Sequence, residues 1–558
     1  MAVLLTERRQ FLQLASYAAA SAASLSLPRS VWSQTDSSRK FETNPFALGV
    51  ASGSPTSDSV VLWTRLIDSN LGFFGASFDN KAIAVRWEVA DDDKFSHIVQ
   101  SGQHLAVSDL AHSVHVEVQN LQPDRWYFYR FMAGDAASPV GRTRTFPKAG
   151  AAVDKLRIAY ASCQRWEAGY FSAYKHMQAE KLDAVLFLGD YIYEYPGQVG
   201  SLRFPKANSN VGFVISLDDY RSRYAQYKSE QDLQDMHAAC PWLMTWDDHE
   251  VQNDYANLQA GYSSMADIFS NPENFSDRRA AAYQAYYEHM PIRATSLTQS
   301  LAGLAMGAEM RIYNRVDFGR LATFYMLDSR QYRDAQVCKA PGAAVSGQVN
   351  PADCASWQNP QRTLLGETQE IWLRSEFDKS RQGSTTWNVL GQQSLFGQRD
   401  NQAGEGQLLW NDSWDGYSAA RTRMTNAIQK NAVKNPVFLG GDVHENWVGH
   451  VKADYTQTAA AQASAAIGVE FCGTSISSPS SSSSTAAKTA ARLAENPHFV
   501  FADAKYRGYG VVEFNPKQLT TSLRVVDDVK QKTTKVQTLA QFVVPAVVAG
   551  GRVEIERV

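Results

Sequence analysis

Cysteine is scarce in this chain, five in 558 residues, and neither sign of charge dominates, with 57 acidic against 54 basic side chains and a formal net charge of −3. So few thiols exclude a small disulfide-stapled scaffold. The charge balance provides no basic footprint for nucleic acid. Beyond the N-terminal region, no apolar run approaches the ~18–20 residues that a membrane-crossing helix needs. At about 150 residues per domain the length suggests three or four domains, and a sizeable core is within reach. The cysteines are Cys163, Cys240, Cys338, Cys354 and Cys472, so in an oxidising compartment at least one stays unpaired. Cys338 and Cys354 flank a loop containing Gly and Pro and are the expected disulfide.

The N-terminus reads TERRQFLQ (Thr6 to Gln13), followed by an Ala-rich apolar run to Leu27, Pro28 and the Val31-x-Ser33 pair. The Arg8-Arg9 pair before Phe11-Leu12 resembles a twin-arginine export signal over residues 1–33, cleaved near Ser33. That route carries folded, cofactor-loaded proteins. The mature chain is therefore expected outside the cytoplasm, periplasmic or secreted, with the twin-arginine machinery as a transient partner.

From 41 to 147 the pattern alternates with period two. VVLWTRL (Val60 to Leu66), IAVRWEVA (Ile83 to Ala90), HSVHVEVQNL (His112 to Leu121) and RWYFYRFMAG (Arg125 to Gly134) predict a small antiparallel sandwich, similar to fibronectin type III or immunoglobulin-like modules. After a linker at Lys148 to Asp154, strand-like runs alternate with helical stretches such as Phe171 to Lys181. This order predicts an α/β core with crossover helices. The insertions at Tyr195 to Leu217 and Asp334 to Gln361 are expected as loops bordering a site. SISSPSSSSS (Ser475 to Ser484) reads as a flexible loop by composition, and YGVVEF (Tyr509 to Phe514) with LTTSLRVVD (Leu519 to Asp527) as a final hairpin before a tail.

Four short segments end strand-like runs in polar groups: SCQ (Ser162 to Gln164), GDYIYE (Gly189 to Glu194), WDDHEVQND (Trp246 to Asp254) and GGDVHENW (Gly440 to Trp447). Side chains at the carboxyl ends of neighbouring strands converge on one crevice. Asp190 follows a glycine that lets the chain turn sharply. A lone Gly-Asp pair is as often a turn or helix cap, so its company decides. Asp247, Asp248, His249 and Asn253 offer two carboxylates, an imidazole and an amide oxygen within one turn, the mixed set of a binuclear phosphoesterase. Asp442 and His444, two apart on an extended segment, would face the same way. Cys163 would ordinarily be a small buried hydrophobe, but its place at a strand end favours a thiolate ligand. Tyr193, three residues beyond Asp190, adds a phenol, and thiolate with phenolate favours ferric iron over magnesium.

Together with QRWEAGYFSAYKHM (from Gln164), AAYQAYYEHMP (from Ala281), LDSRQYRDAQ (from Leu327), NDSWDGY (from Asn411), EFCGTSISS (from Glu470) and the N-terminal GVASGSPTSDSVVLWTRL (from Gly49), these segments resemble the PhoD-type alkaline phosphatases over nearly the whole mature chain. The resemblance implies a calcineurin-like metallophosphoesterase core over 154–540, an α/β fold preceded by the 41–147 sandwich. It also implies one Fe3+ with Ca2+ as cofactors. Cys163, Asp190, Tyr193, Asp442 and His444 fall where iron and bridging ligands would sit; Asp247, Asp248, Asn253 and Asp254 fall where calcium ligands are expected. The family's Gly-Asp-Pro is Gly53-Ser54-Pro55 here, and some relatives carry Asn at the position of Asp254. Which of Asn253 and Asp254 reaches a metal therefore stays open.

The expected activity is hydrolysis of small phosphate esters by a monomer, with His249 as proton donor to the leaving oxygen and Arg330 gripping a phosphate oxygen. A phospholipase D-like phosphodiesterase on the same scaffold is the alternative, and a non-enzymatic periplasmic binding protein the more distant one.

Overall fold

The computed structural model describes residues 39–558 apart from 69–80, 199, 205–211, 262–271, 299–309, 342, 344, 456–465, 482–483 and 548–551. The export-signal segment therefore lies outside the described residues.

Strands Leu156–Ala161, Ala184–Leu188 and Trp242–Thr245 are almost wholly buried and pair in parallel, as apolar runs covered on both faces do. They form the middle of a ten-stranded sheet. Arg507–Phe514, Gln518–Val526, Val536–Pro545 and Glu556–Arg557 extend it on one side, and Val50–Gly53, Val60–Arg65 and Ser113–Val118 on the other. A second, seven-stranded sheet runs in the order Asn314–Phe318, Ala322–Met326, Trp387–Gly391, Pro436–Gly440, Ala466–Cys472, Asn446–Lys452, Phe499–Asp503.

Strand alternation sorts the side chains into layers. Leu186 and Leu188 point between the sheets, where they pack with Ile158, Phe324, Val389, Leu439 and Phe471. Val185 and Phe187 point outward and join a cluster with Tyr174, Tyr224, Met236 and Tyr286 from the covering helices. Across the second sheet, Leu390 and Phe438 meet Leu373 and Phe377 of helix Glu367–Gln382 and Met424 and Ile428 of helix Ser418–Lys430. The result is four layers, helix, sheet, sheet, helix, with parallel strands at the heart of both sheets. Helix Leu217–Lys228 begins at a capping box in which Ser216 and Asp219 satisfy each other's backbone N–H groups.

Three expectations change. The sandwich is present, but one of its layers is the end of the large sheet: Val60–Arg65 and Ser113–Val118 pack through Val60, Leu62, Val114 and Val116 onto Val85, Val89, Tyr127 and Tyr129 of the smaller sheet, while Val50–Gly53 runs parallel beside Trp242. The segment expected as a tail after the final hairpin supplies a further strand, Val536–Pro545, paired along Gln518–Val526. Ser475, Ser477 and Ser478 of the Ser-rich segment are buried and hydrogen-bonded, because each hydroxyl meets a fixed partner that composition alone does not reveal. Cys338 and Cys354 are bonded, with Cα atoms 6.0 Å apart, whereas Cys163, Cys240 and Cys472 are free and buried. Among the described residues no helix is long and apolar enough to cross a membrane.

Candidate metal centre

Each ligand-bearing segment leaves a buried strand by an abrupt turn. Cys163 follows Leu156–Ala161, Asp190 follows Ala184–Leu188, Asp247 follows Trp242–Thr245 and Asp442 follows Pro436–Gly440. The turns are strained: Cys163, Asp190, Asp442 and His444 have φ of 59°, 57°, 66° and 56°, in the left-handed region that costs a non-glycine residue ~1–2 kcal/mol. Such residues persist where the surroundings over-determine them, and they gather at functional sites. Asp442 and His444 therefore do not lie on an extended segment, as the sequence had suggested. A left-handed kink at both positions sets their directions instead. Gly189 is also left-handed, and a Cβ there would lie 2.5 Å from the Asp247 Cβ, so only glycine lets these two ligand-bearing turns approach.

The turns bring ligand atoms together in three overlapping groups, Cys163 with Asp190 and His444, Asp190 with Asp248 and His249, and Asp248 with Asp254 and Asp412, the atoms within each group lying within 4.8 Å of one another. Tyr193 bridges the first group: its hydroxyl donates to Asp190 Oδ2 at 2.9 Å and lies 3.2 Å from His444 Nε2. Asp190 Oδ1, Asp247 Oδ2 and Asp248 Oδ1 are buried and make no hydrogen bond. Buried carboxylate oxygens without partners are heavily penalised unless a cation meets them. Burial, together with the neighbouring carboxylates Asp248, Asp247 and Glu250, and against the pull of His249, drives the Asp190 carboxyl well above its usual range. Burial and Asp247 do the same to Asp442. Hard oxygens, one thiol, one phenol and two imidazoles turned inward make a donor set that fits more than one cation.

Supporting residues that sequence patterning missed hold this set in place. Glu250 is buried and accepts backbone N–H groups from Asp190 (3.1 Å), Tyr191 and Asp247 (2.8 Å), tying two ligand turns to one carboxylate. Glu194 accepts from the Asn253 N–H at 2.8 Å and holds His249 Nδ1 at 2.7 Å. His249 is buried; although burial disfavours its charge, Glu194, Asp248 and Asp190 raise it well above its ordinary value. His444 Nδ1 donates to the Pro479 carbonyl at 2.8 Å, leaving the Nε2 lone pair toward Asp190 and Cys163. Ser478 Oγ lies 2.8 Å from both the Tyr193 hydroxyl and the Cys163 carbonyl. Arg507 gathers the His444, Ser475, Ser480 and Ala504 backbone and side-chain oxygens behind them. The signals that could have revealed Glu250 and Glu194 were their positions inside the ligand motifs.

Arg330 occupies a different place from the one expected. It is fully buried; its Nε donates to Asp247 Oδ1 and its Nη1 to Asp412 Oδ2 at 2.6 Å, with Asp248 Oδ2 at 3.5 Å from Nη2. Arg333 donates to the other Asp412 oxygen at 3.0 Å. Enclosed by carboxylates, Arg330 holds the metal-facing acids and has no free fork for a phosphate. Against the burial that raises it, the same guanidinium and His249 bring the Asp248 carboxyl down to about 2. Asp254 donates its N–H to Asp248 Oδ2 at 2.7 Å, and its own carboxyl is raised by burial and by Asp412.

Two stacked sheets with acids, imidazoles and a thiol at their parallel strand ends define a metal-dependent phosphoester hydrolase. Comparison with known proteins narrows this. The PhoD-like phosphatase family matches residues 158–523, and the N-terminal domain of PhoD-like phosphatases matches residues 31–147. The chain is 43% identical over 539 residues to alkaline phosphatase D of Bacillus subtilis (strain 168), covering 96% of this chain and 87% of that protein. A solved structure of PhoD superimposes with a TM-score of 0.82 at 42% identity, covering 93% of both chains. The chain belongs to the PhoD-like phosphatase family, and it is an enzyme that hydrolyses phosphate esters.

Proposed function

We propose that this enzyme is an exported alkaline phosphatase whose centre takes Fe3+ at Cys163, Asp190, Tyr193, Asp442 and His444 and Ca2+ at Asp247, Asp248, Asn253 and Asp254. The observation that carries the assignment is the meeting of Asp190 with Cys163, His444 and Tyr193 on one side and with Asp248 on the other, while buried oxygens of Asp190, Asp247 and Asp248 have no hydrogen-bond partner. Export rests on the Arg8-Arg9 motif, and residues 41–147 and 154–540 are taken as the sandwich and catalytic units. When bound, the cations would supply charge neutralisation of the ester oxygens and a water acidified enough to attack phosphorus.

The chain's own residues do the rest. Glu250 fixes the spacing of the Asp190 and Asp247 turns through their N–H groups. His249, oriented by Glu194, stands 4.0 Å from Asp248 on its Nε2 side, where it can hand a proton to the departing oxygen. The left-handed turns hold the ligands in place before substrate arrives, so little reorganisation accompanies reaction. Metal analysis of protein exported in its native host should find iron and calcium, with a visible charge-transfer band from Tyr193 and Cys163. Zinc or magnesium without iron would reject the assignment. Substrate preference is read by parallel assays with nitrophenyl phosphate and bis-nitrophenyl phosphate, the first expected to be the faster.

A further inference from the structure

With Arg330 enclosed by carboxylates, the phosphate group of the substrate needs another cationic grip. Among the described residues several guanidiniums surround the centre, and most are occupied. Arg333 is spent on Asp412. Arg223 holds the Tyr193 and Tyr195 carbonyls. Arg507 is wrapped in backbone and hydroxyl oxygens. Arg165 differs from all three. Its side chain is 24% exposed, against 1% for Arg330. Its buried Nε makes no hydrogen bond, and the nearest anion, Glu167 Oε2, is 3.9 Å away, beyond hydrogen-bonding reach.

Arg165 is also placed with care. Two residues after Cys163, its N–H donates to Ser478 Oγ at 3.1 Å and its carbonyl accepts from Ser477 Oγ at 2.9 Å. Its guanidinium carbon lies 5.9 Å from the Tyr193 ring centre and 5.4 Å from that of Tyr195. Both rings border the centre: the Tyr193 ring is 4.1 Å and the Tyr195 ring 5.1 Å from that of His249. A planar guanidinium stacked on aromatics is preorganised to present its fork to a phosphate.

We propose that Arg165 is the residue that grips the phosphoryl oxygens turned away from the metals, in the bound ester and in the inorganic phosphate it yields. The proposal rests on the metal-centre reading for the position of the phosphorus and extends it to the open side of the site. The guanidinium forms charge-assisted hydrogen bonds to one or two phosphoryl oxygens and is released with the product; no covalent bond to it forms or breaks.

The test uses the full-length, metal-analysed enzyme, with Arg165→Ala and Arg165→Lys. Loss of charged hydrogen bonds should raise KM for nitrophenyl phosphate and the inhibition constant of inorganic phosphate by about 10- to 100-fold in Arg165→Ala. Metal content and melting midpoint should match the parent. Arg165→Lys, which keeps charge without the fork, should recover part of the loss, and added guanidinium ion should partly rescue the alanine variant. An unchanged inhibition constant for phosphate overturns the proposal, as does loss of bound metal in both variants, which would make Arg165 a support for Tyr193. If the alanine variant fails to fold, the lysine variant carries the test, with a severalfold rise in the phosphate inhibition constant expected and an unmoved constant overturning the proposal. A parent enzyme whose hydrolysis does not depend on metal would sink the metal-centre reading instead, so the two failures are separable.

Discussion

Asp247 stands between two regions built from the same residue types and opposite in design. On one side, its Oδ1 enters a closed knot with Arg330, Arg333, Asp412 and Gln336, in which each charge has a counter-charge or a hydrogen bond. On the other, its Oδ2 joins Asp190 Oδ1 and Asp248 Oδ1 as buried oxygens without a partner. Protein donors meet every carboxylate oxygen in the knot, whereas the partnerless oxygens of the centre are finished only by cations. What separates structural from chemical charge is therefore satisfaction, since both regions are equally buried and rich in acid.

That contrast is open to experiment. The largest effect is expected on the unsatisfied side: Asp190→Asn should lower turnover about a thousandfold or more, equivalent to ~4 kcal/mol of transition-state stabilisation, while leaving the melting midpoint equal to or above the parent's in metal-free protein. Retained turnover would remove Asp190 from the centre. On the satisfied side, Arg330→Met leaves Asp247 and Asp412 short of a counter-charge and should destabilise the fold by ~3–5 kcal/mol, seen as a lower denaturant midpoint. A stability loss below ~1 kcal/mol would mean that the knot does not act as described.

A third charge lies apart from both regions, and its effect is spread over alkaline pH. Lys228 is buried with its ammonium 4.2 Å from the centre of the Trp63 ring and 5.3 Å from that of Tyr191, and burial lowers it from 10.5 to about 7. A folded value below the unfolded one means that the unfolded chain holds the extra proton between about pH 7 and 10.5. Stability should therefore rise with pH through that window, by up to ~1.4 kcal/mol per unit. Lys228→Met should flatten this rise in equilibrium unfolding curves; an unaltered slope would place its origin elsewhere.

The sequence exposed the strand-end ligands because apolar runs followed by Asp, Cys or His are local signals. Asp412 was invisible as their neighbour, since its link to Asp247 passes through Arg330, 82 and 83 residues away along the chain from the two acids. For the same reason Arg330 read as a phosphate grip: type and motif suggest chemistry, but occupancy is set by partners far along the chain. The parallel pairing of Gly53 with Trp242 is likewise a long-range event that no local alternation encodes. The insertion read as loop, Tyr195 to Leu217, gives way at its last residue to helix Leu217–Lys228, whose buried residues include Tyr220, Tyr224 and Tyr227 and so show little aliphatic periodicity. The Ser-rich segment misled in the other direction, since serine composition signals solvent while Ser475 and Ser478 donate into the wall of the site.

The ten-stranded sheet also dictates when the molecule can fold. Its three ligand-bearing strands are flanked on one side by strands made first, from Val50 on, and on the other by strands made last, with Gly510 opposite Tyr160 and Val536–Pro545 beyond. A nascent chain that stops short of Arg507–Phe514 carries every residue assigned to the centre but leaves one flank of that sheet as an open edge, the kind of surface that pairs with whatever strand is near. The centre therefore gains its full frame only when a strand from far beyond its last ligand segment pairs along Leu156–Ala161.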